Sequence, residues 1–164
     1  MNFDTIWSDI ASTIVGGSVL TVLFFWFREK VFSLPEITGR WFFELHTENT
    51  AYNPYRNMKL QYVAMLWCEG HCVHGTVEKI YEDSSTVKKE YIGENRTRGR
   101  VEGYIEKNYF SKDKVFLHVV EDGHGRESTN FYELAVKSSD SMKGTFSSMV
   151  ADQDGGVKWQ REKF

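Results

Sequence analysis

Residues 39–47 read Gly39-Arg40-Trp41-Phe42-Phe43-Glu44-Leu45-His46-Thr47, and their alternation decides the fold. In a strand, successive side chains point to opposite faces. Trp41, Phe43 and Leu45 then share one face, while Arg40, Glu44 and His46 share the other. Such a segment is a sheet wall with a packed inside and a wet outside.

Working outward, segments of this kind recur down the chain, separated by clusters of Gly, Asp, Asn and Ser. Strands are expected near Gly39–Thr47, Met58–Cys68, His71–Tyr81, Arg98–Phe110, Lys114–Glu121, Ser128–Val136, Met142–Val150 and Gly156–Lys163. Consecutive antiparallel strands can close into a barrel, which removes the exposed edges that would otherwise aggregate. The expected fold is all-β: an eight-stranded up-and-down antiparallel barrel, lipocalin-like, preceded by one transmembrane α-helix. Gly39-x-Trp41 with Arg161 on the last strand resembles the lipocalin arrangement, in which a basic side chain of the final strand covers the Trp at the closed end. A barrel of this size either fills its interior with side chains or holds one small ligand.

Upstream, the uncharged run Ile10 to Phe27, IASTIVGGSVLTVLFFWF, lies between Asp9 and Arg28. As a helix it reaches about 27 Å, close to a hydrocarbon layer of ~30 Å. Trp7 and Trp26 fall where aromatic side chains anchor at the two interfaces. A cleaved signal peptide would carry a basic leader, whereas Met1 to Asp9 holds Asp4 and Asp9 and no Lys or Arg. Arg28 and Lys30 follow the span, so the positive-inside rule predicts a single pass with the C-terminal side of the helix inside the cell. The N-terminus would lie outside and the barrel in the cytoplasm. Thr13, Gly17 and Thr21 recur every fourth residue and form a strip of small side chains where another helix could approach. The expected division is residues 1–36 for the helix and linker and 37–164 for the barrel.

The net charge of −3 and pI near 6.0 argue against a protein that coats DNA or RNA, which needs surplus cations. A reducing cytoplasm predicts no structural disulfide from Cys68 and Cys72. With His71 and His74, these cysteines have the chemistry of zinc ligands. A two-residue turn at Glu69-Gly70 would set Cys68 opposite His71 and put the cysteines on opposite sheet faces, so no metal site is expected. No catalytic order of Ser, His and Asp and no Gly-rich phosphate loop stands out, and neither catalysis nor a cofactor is predicted.

Connections in a meander alternate between the two barrel ends. Those after the first and third strands, Glu48 to Asn57 and Glu82 to Thr97, are long, whereas those after the second, fourth and sixth are short. A ligand mouth would be built at the long-loop end, away from the N-terminal entry and hence from the membrane. Around it the sequence offers Tyr52, Tyr55, Arg56, Lys88, Lys89, Arg96 and His124, with Asp83, Glu90 and Glu94 diluting the charge. Tyr81, Arg98, Arg100, Tyr104, Arg126 and Tyr132 are the expected ligand-binding residues, because guanidinium forks suit phosphates and aromatic rings stack on bases. Val63, Met65 and Trp67 stay apolar on the face opposite Ala64 and Leu66, which suggests contact with a partner subunit or the membrane surface.

A membrane segment joined to a minimal barrel that opens ITGRWFFEL and continues GTVEKIYED resembles the CD-NTase-associated transmembrane β-barrel effectors of bacterial CBASS antiphage defence. The resemblance implies a sensor with a STING-like role. Its barrel would bind a cyclic oligonucleotide made by a partner CD-NTase enzyme, the chain would assemble with copies of itself, and the helices would disrupt the lipid bilayer in abortive infection. That family is described with two membrane helices per chain, whereas this sequence has room for one before Pro35. A tethered carrier of an apolar ligand and a structural membrane module are the alternatives.

Overall fold

The computed structural model describes residues 3–31, 33–123 and 127–164. The chain forms two compact units, Met1–Leu34 and Pro35–Phe164.

In the first unit, α1 runs Phe3–Val31, and its stretch Asp9–Arg28 is long and apolar enough to cross a membrane. None of that stretch is buried. Its threonine hydroxyls are satisfied within the helix. Thr13 Oγ1 donates to the carbonyl of Asp9 at 2.8 Å and Thr21 Oγ1 to that of Gly17 at 2.8 Å. Such back-bonds let Thr enter hydrocarbon without an unmet donor.

The second unit is a closed sheet. Its strands are β1 (Gly39–Asn49), β2 (Lys59–Glu69), β3 (Cys72–Asp83), β4 (Lys88–Glu90), β5 (Arg98–Glu106), β6 (Lys114–Asp122), β7 (Glu127–Ser138), β8 (Ser141–Ser148) and β9 (Gln153–Gln160). The hydrogen-bonded order β2-β1-β9-β8-β7-β6-β5-β3 closes through a β2–β3 pairing, so eight antiparallel strands form an up-and-down barrel. The short β4 pairs only with β3, outside the closed ring. The sequence pattern did not anticipate β4, and it set the end of β5 at Phe110. The strand stops at Glu106 because Asp113 takes the Lys107 ammonium at 2.8 Å and the Asn108 N–H at 2.9 Å, which folds the chain into a loop.

Alternate residues of β1 fill the interior as expected: Trp41, Phe43, Leu45 and Thr47 are buried. Phe43 lies between Trp159 at 4.0 Å and Tyr62 at 4.8 Å, with its ring nearly parallel to both, and Tyr132 meets it edge-on at 5.7 Å. Val73, Val101, Val115, Leu117 and Leu134 complete the apolar layers. The strands coil tightly around this core. At Gly144 a Cβ would collide with the carbonyl of Glu133, and at Gly155 with that of His46, so only glycine allows the neighbouring strands their approach.

One end is closed. Arg161 lies over the Trp41 ring at 3.9 Å, and its guanidinium donates to the carbonyls of Arg40 (3.1 Å), Ser139 (3.3 Å) and Glu36 (3.4 Å). The Trp41 indole in turn donates to the Ile37 carbonyl at 2.7 Å. This is the pairing read from Gly39-x-Trp41 and Arg161, and it lies at the end with the short connections at Gly70-His71 and Ser139-Asp140. The opposite end carries the connections of residues 50–58, 84–97 and 149–152.

Candidate functional site at the open end of the barrel

The open end holds a cavity of about 190 Å³, lined by Leu45, Tyr55, Met58, Leu60, Phe146 and Val150 and by a polar set on the inner wall. That set arises from sequence positions that continue the inward parity of each strand but carry polar residues near the mouth. On β6, Val115, Leu117 and Val119 point inward, and the next inward residue is Glu121. On β7, Leu134 and Tyr132 are followed toward the mouth by Asn130. A buried polar residue at a core position is the informative departure from the hydrophobic pattern.

Glu121 is the centre of the set. Its Oε1 accepts the Tyr62 hydroxyl at 3.0 Å and the Asn130 amide at 2.9 Å, and the residue is 4% exposed. Burial pushes its carboxyl above the usual range, while the Lys79 ammonium and the two hydrogen bonds pull it back. Burial and the Glu121 charge together push the Tyr62 phenol well above its ordinary value. The Tyr132 phenol is raised by the same causes, and its hydroxyl has no partner among the described residues. On the facing wall Lys79 lies 3.5 Å from Glu82, which also accepts the Tyr91 hydroxyl at 2.9 Å. Burial and that hydrogen bond push the Tyr91 phenol up to about 12. Gln153 is tied down by Thr47 at 3.2 Å and by the Val150 carbonyl at 2.7 Å.

Several of the cations expected at the mouth lie on the outer wall. Arg98, Arg100 and Tyr104 point from β5 to the outer wall, because the inward positions of that strand are Gly99, Val101, Gly103 and Ile105. Arg98 pairs with Glu78 at 3.5 Å, and Tyr104 stacks on Phe116 at 5.0 Å. Tyr81 is also outside, for a different reason. A bulge between Gln61 and Tyr62 sets Lys79 opposite Tyr62 and Tyr81 opposite Gln61, leaving Ile80 as the extra residue. One inserted residue reverses the facing of all that follow, so Glu82 rather than Tyr81 lines the cavity. Tyr81 and Arg96 border an outer groove of about 480 Å³ with Phe42, Tyr91 and Phe164. Tyr132 is inside but packed in the aromatic core at 2% exposure. His124 and Arg126 lie outside the described residues. Of the residues named from the loops, Tyr55 lines the cavity. Of the expected set, the described residues Tyr81, Arg98, Arg100 and Tyr104 face outward and Tyr132 faces inward. The residues that do converge, Tyr62, Lys79, Glu82, Glu121, Asn130 and Gln153, were missed because their signal is a polar residue on an inward-facing strand position and not a loop cation.

The cysteines are free. The turn sits at Gly70-His71, one residue beyond the expected position, with Gly70 at φ 61°, so Cys68 pairs with Val73 and Glu69 with Cys72. Cys68 keeps the inward parity of β2 and Cys72 the outward parity of β3, and no metal-ligating cluster forms among the described residues. Met65 and Trp67 are 49% and 44% exposed, so the outer wall of β2 is apolar as read.

No protein-family model and no curated protein matches the chain. Among solved structures, a redesigned β-barrel superposes with a TM-score of 0.50, covering 77% of this chain and 92% of that one, at 11% identity. The likeness is one of fold.

Proposed function

We propose that the chain is a membrane-anchored sensor whose barrel takes a small polar ligand at its open end. The observation that carries this reading is the buried Glu121 cluster at an unfilled mouth. A barrel with a purely structural role gains nothing from desolvating a carboxylate there, since burying a charge without function destabilises the fold. The polar lining also speaks against a carrier of apolar ligands. At about 190 Å³ the cavity is smaller than the ~300–1,000 Å³ that encloses a whole drug-sized ligand, so one ring enters and the rest of the ligand stays at the rim.

The ligand we propose is a cyclic oligonucleotide, with a base in the mouth and its phosphates outside among Arg56, Lys59 and the second long loop. Binding would favour self-association and disruption of a bacterial inner membrane by α1, as expected of a CBASS effector working with a CD-NTase. Thr13, Gly17 and Thr21 would be the helix face that self-associates. A ligand drives such a change only through higher affinity for the assembled state. The test is dye release from liposomes carrying the full chain. Cyclic di- and trinucleotides should trigger release, and linear nucleotides should not. Release that is constant with and without nucleotide would refute the effector reading.

A further inference from the structure

The hydrogen bonds inside the mouth say what kind of group can enter. Each of the buried donors Tyr62, Asn130, Gln153 and Ser148 already makes one hydrogen bond within the protein. Tyr62 and Asn130 donate to Glu121 Oε1, Gln153 donates to the Val150 carbonyl, and Ser148 Oγ donates to that of Thr129 at 3.3 Å. The Lys79 ammonium is held by Glu82. Acceptors are left over. Glu121 Oε2 takes no hydrogen bond among the described residues and is not one of the fully enclosed atoms, so it opens to the cavity, and Glu82 Oε1 likewise takes none. An acceptor left open on the wall of a narrow cavity can be satisfied by a donor the ligand brings.

We propose that the mouth is a binding site for a planar group carrying N–H donors, an amidine, guanidine or amino-substituted ring, and that Glu121 is the residue that selects it. This rests on the reading of the barrel as a ligand-binding unit and specifies its chemistry. An anionic head is disfavoured in the inner mouth, because its oxygens would meet the carboxylates of Glu82 and Glu121, while Lys79, the cation that lines the cavity among the described residues, is already held by Glu82. Specificity of this kind is strong. A site with a buried acceptor rejects an analogue lacking the donor far more sharply than a missing methylene is rejected. Tyr62, flat against Phe43, forms one wall for the ring, and Asn130 and Tyr62 hold the carboxylate from turning away.

The probes are benzamidine and benzoate, which share a shape and differ in offering donors or acceptors. Titrated calorimetrically into the full chain in phosphatidylcholine nanodiscs, benzamidine should bind at least tenfold more tightly than benzoate. Glu121→Gln keeps an oxygen for Tyr62 and Asn130, replaces Oε2 by an NH₂ donor, and should reduce the preference to less than threefold. Equal affinity of the two probes for the wild type, or no binding of either, overturns the proposal, as does a preference that survives Glu121→Gln. Benzamidine selectivity in a chain that cyclic nucleotides leave inert would uphold this site and refute the nucleotide. Nucleotide binding with no benzamidine preference would do the reverse.

Discussion

Replacing Arg161 tests how the closed end of the barrel is held. Its guanidinium stacks on Trp41 at 3.9 Å and donates to three backbone carbonyls at 3.1, 3.3 and 3.4 Å, tying the tail after β9 to the β1 entry and to the β7–β8 turn. A partly desolvated cation over an indole is worth about 1 kcal/mol. Hydrogen bonds from a charged donor contribute ~1.5–3 kcal/mol each at good geometry. These are long and partly exposed, so solvent screening reduces them to roughly 0.5 kcal/mol each. Arg161→Ala should therefore destabilise the barrel by about 2–3 kcal/mol. For a unit of ~130 residues this lowers the melting temperature by roughly 10 °C. Arg161→Lys keeps the charge but not the planar fork, and should lose about half as much. Near-ultraviolet circular dichroism of the full chain in detergent follows the transition, since the Trp41 environment reports the packing. A melting temperature for Arg161→Ala within about 2 °C of wild type, or Arg161→Lys as damaging as Arg161→Ala, would refute the clasp.

Phe43→Ala removes a ring wholly enclosed between Trp159 and Tyr62 and should cost about 3–5 kcal/mol, whereas Phe43→Leu retains most of the volume and should cost roughly 1–3 kcal/mol from the lost stacking. Urea unfolding distinguishes them, and equal losses would show that stacking dominates volume. Glu121→Gln should raise stability at neutral pH while weakening ligand binding. The sign follows from the raised carboxyl: its contribution to stability is fully present below the unfolded-state range and is lost as pH rises through the folded value, so the neutral amide spares that loss. Melting curves across pH should show the variant's advantage shrinking on acidification, and an advantage that grows would contradict the assigned shift. Removing Met1–Leu34 should leave a folded, monodisperse barrel by size exclusion and circular dichroism, because the two units are separately compact. A truncated chain that melts without cooperativity would show the opposite.

The architecture was legible because its signals are local and repeated. Alternation in β1 sorted Trp41, Phe43 and Leu45 to the inside, and loop lengths assigned the elaborated end. The Arg161 and Trp41 pairing could be read across 120 residues because it belongs to a known arrangement of barrel ends. The site was less legible for two physical reasons. The bulge at Ile80 is invisible to a period of two, and it exchanges Tyr81 for Glu82 at the mouth. Loop composition drew the assignment toward Arg98 and Arg100, whose outward facing follows from counting back from the buried Val101. The better signal was present in β6 and β7, where Glu121 and Asn130 occupy positions that strand parity sends inward.

In the function we propose, the ligand occupies the mouth beside Glu121. Ser148 lines that cavity at 8% exposure, and Ser148→Phe would fill it from the wall. Equilibrium titration of a panel of cyclic di- and trinucleotides into wild type and Ser148→Phe, with matched circular dichroism spectra, measures the claim directly. Saturable binding by the wild type that falls at least tenfold in Ser148→Phe is the predicted result. Absence of binding across the panel, or undiminished binding by the filled barrel, would contradict it.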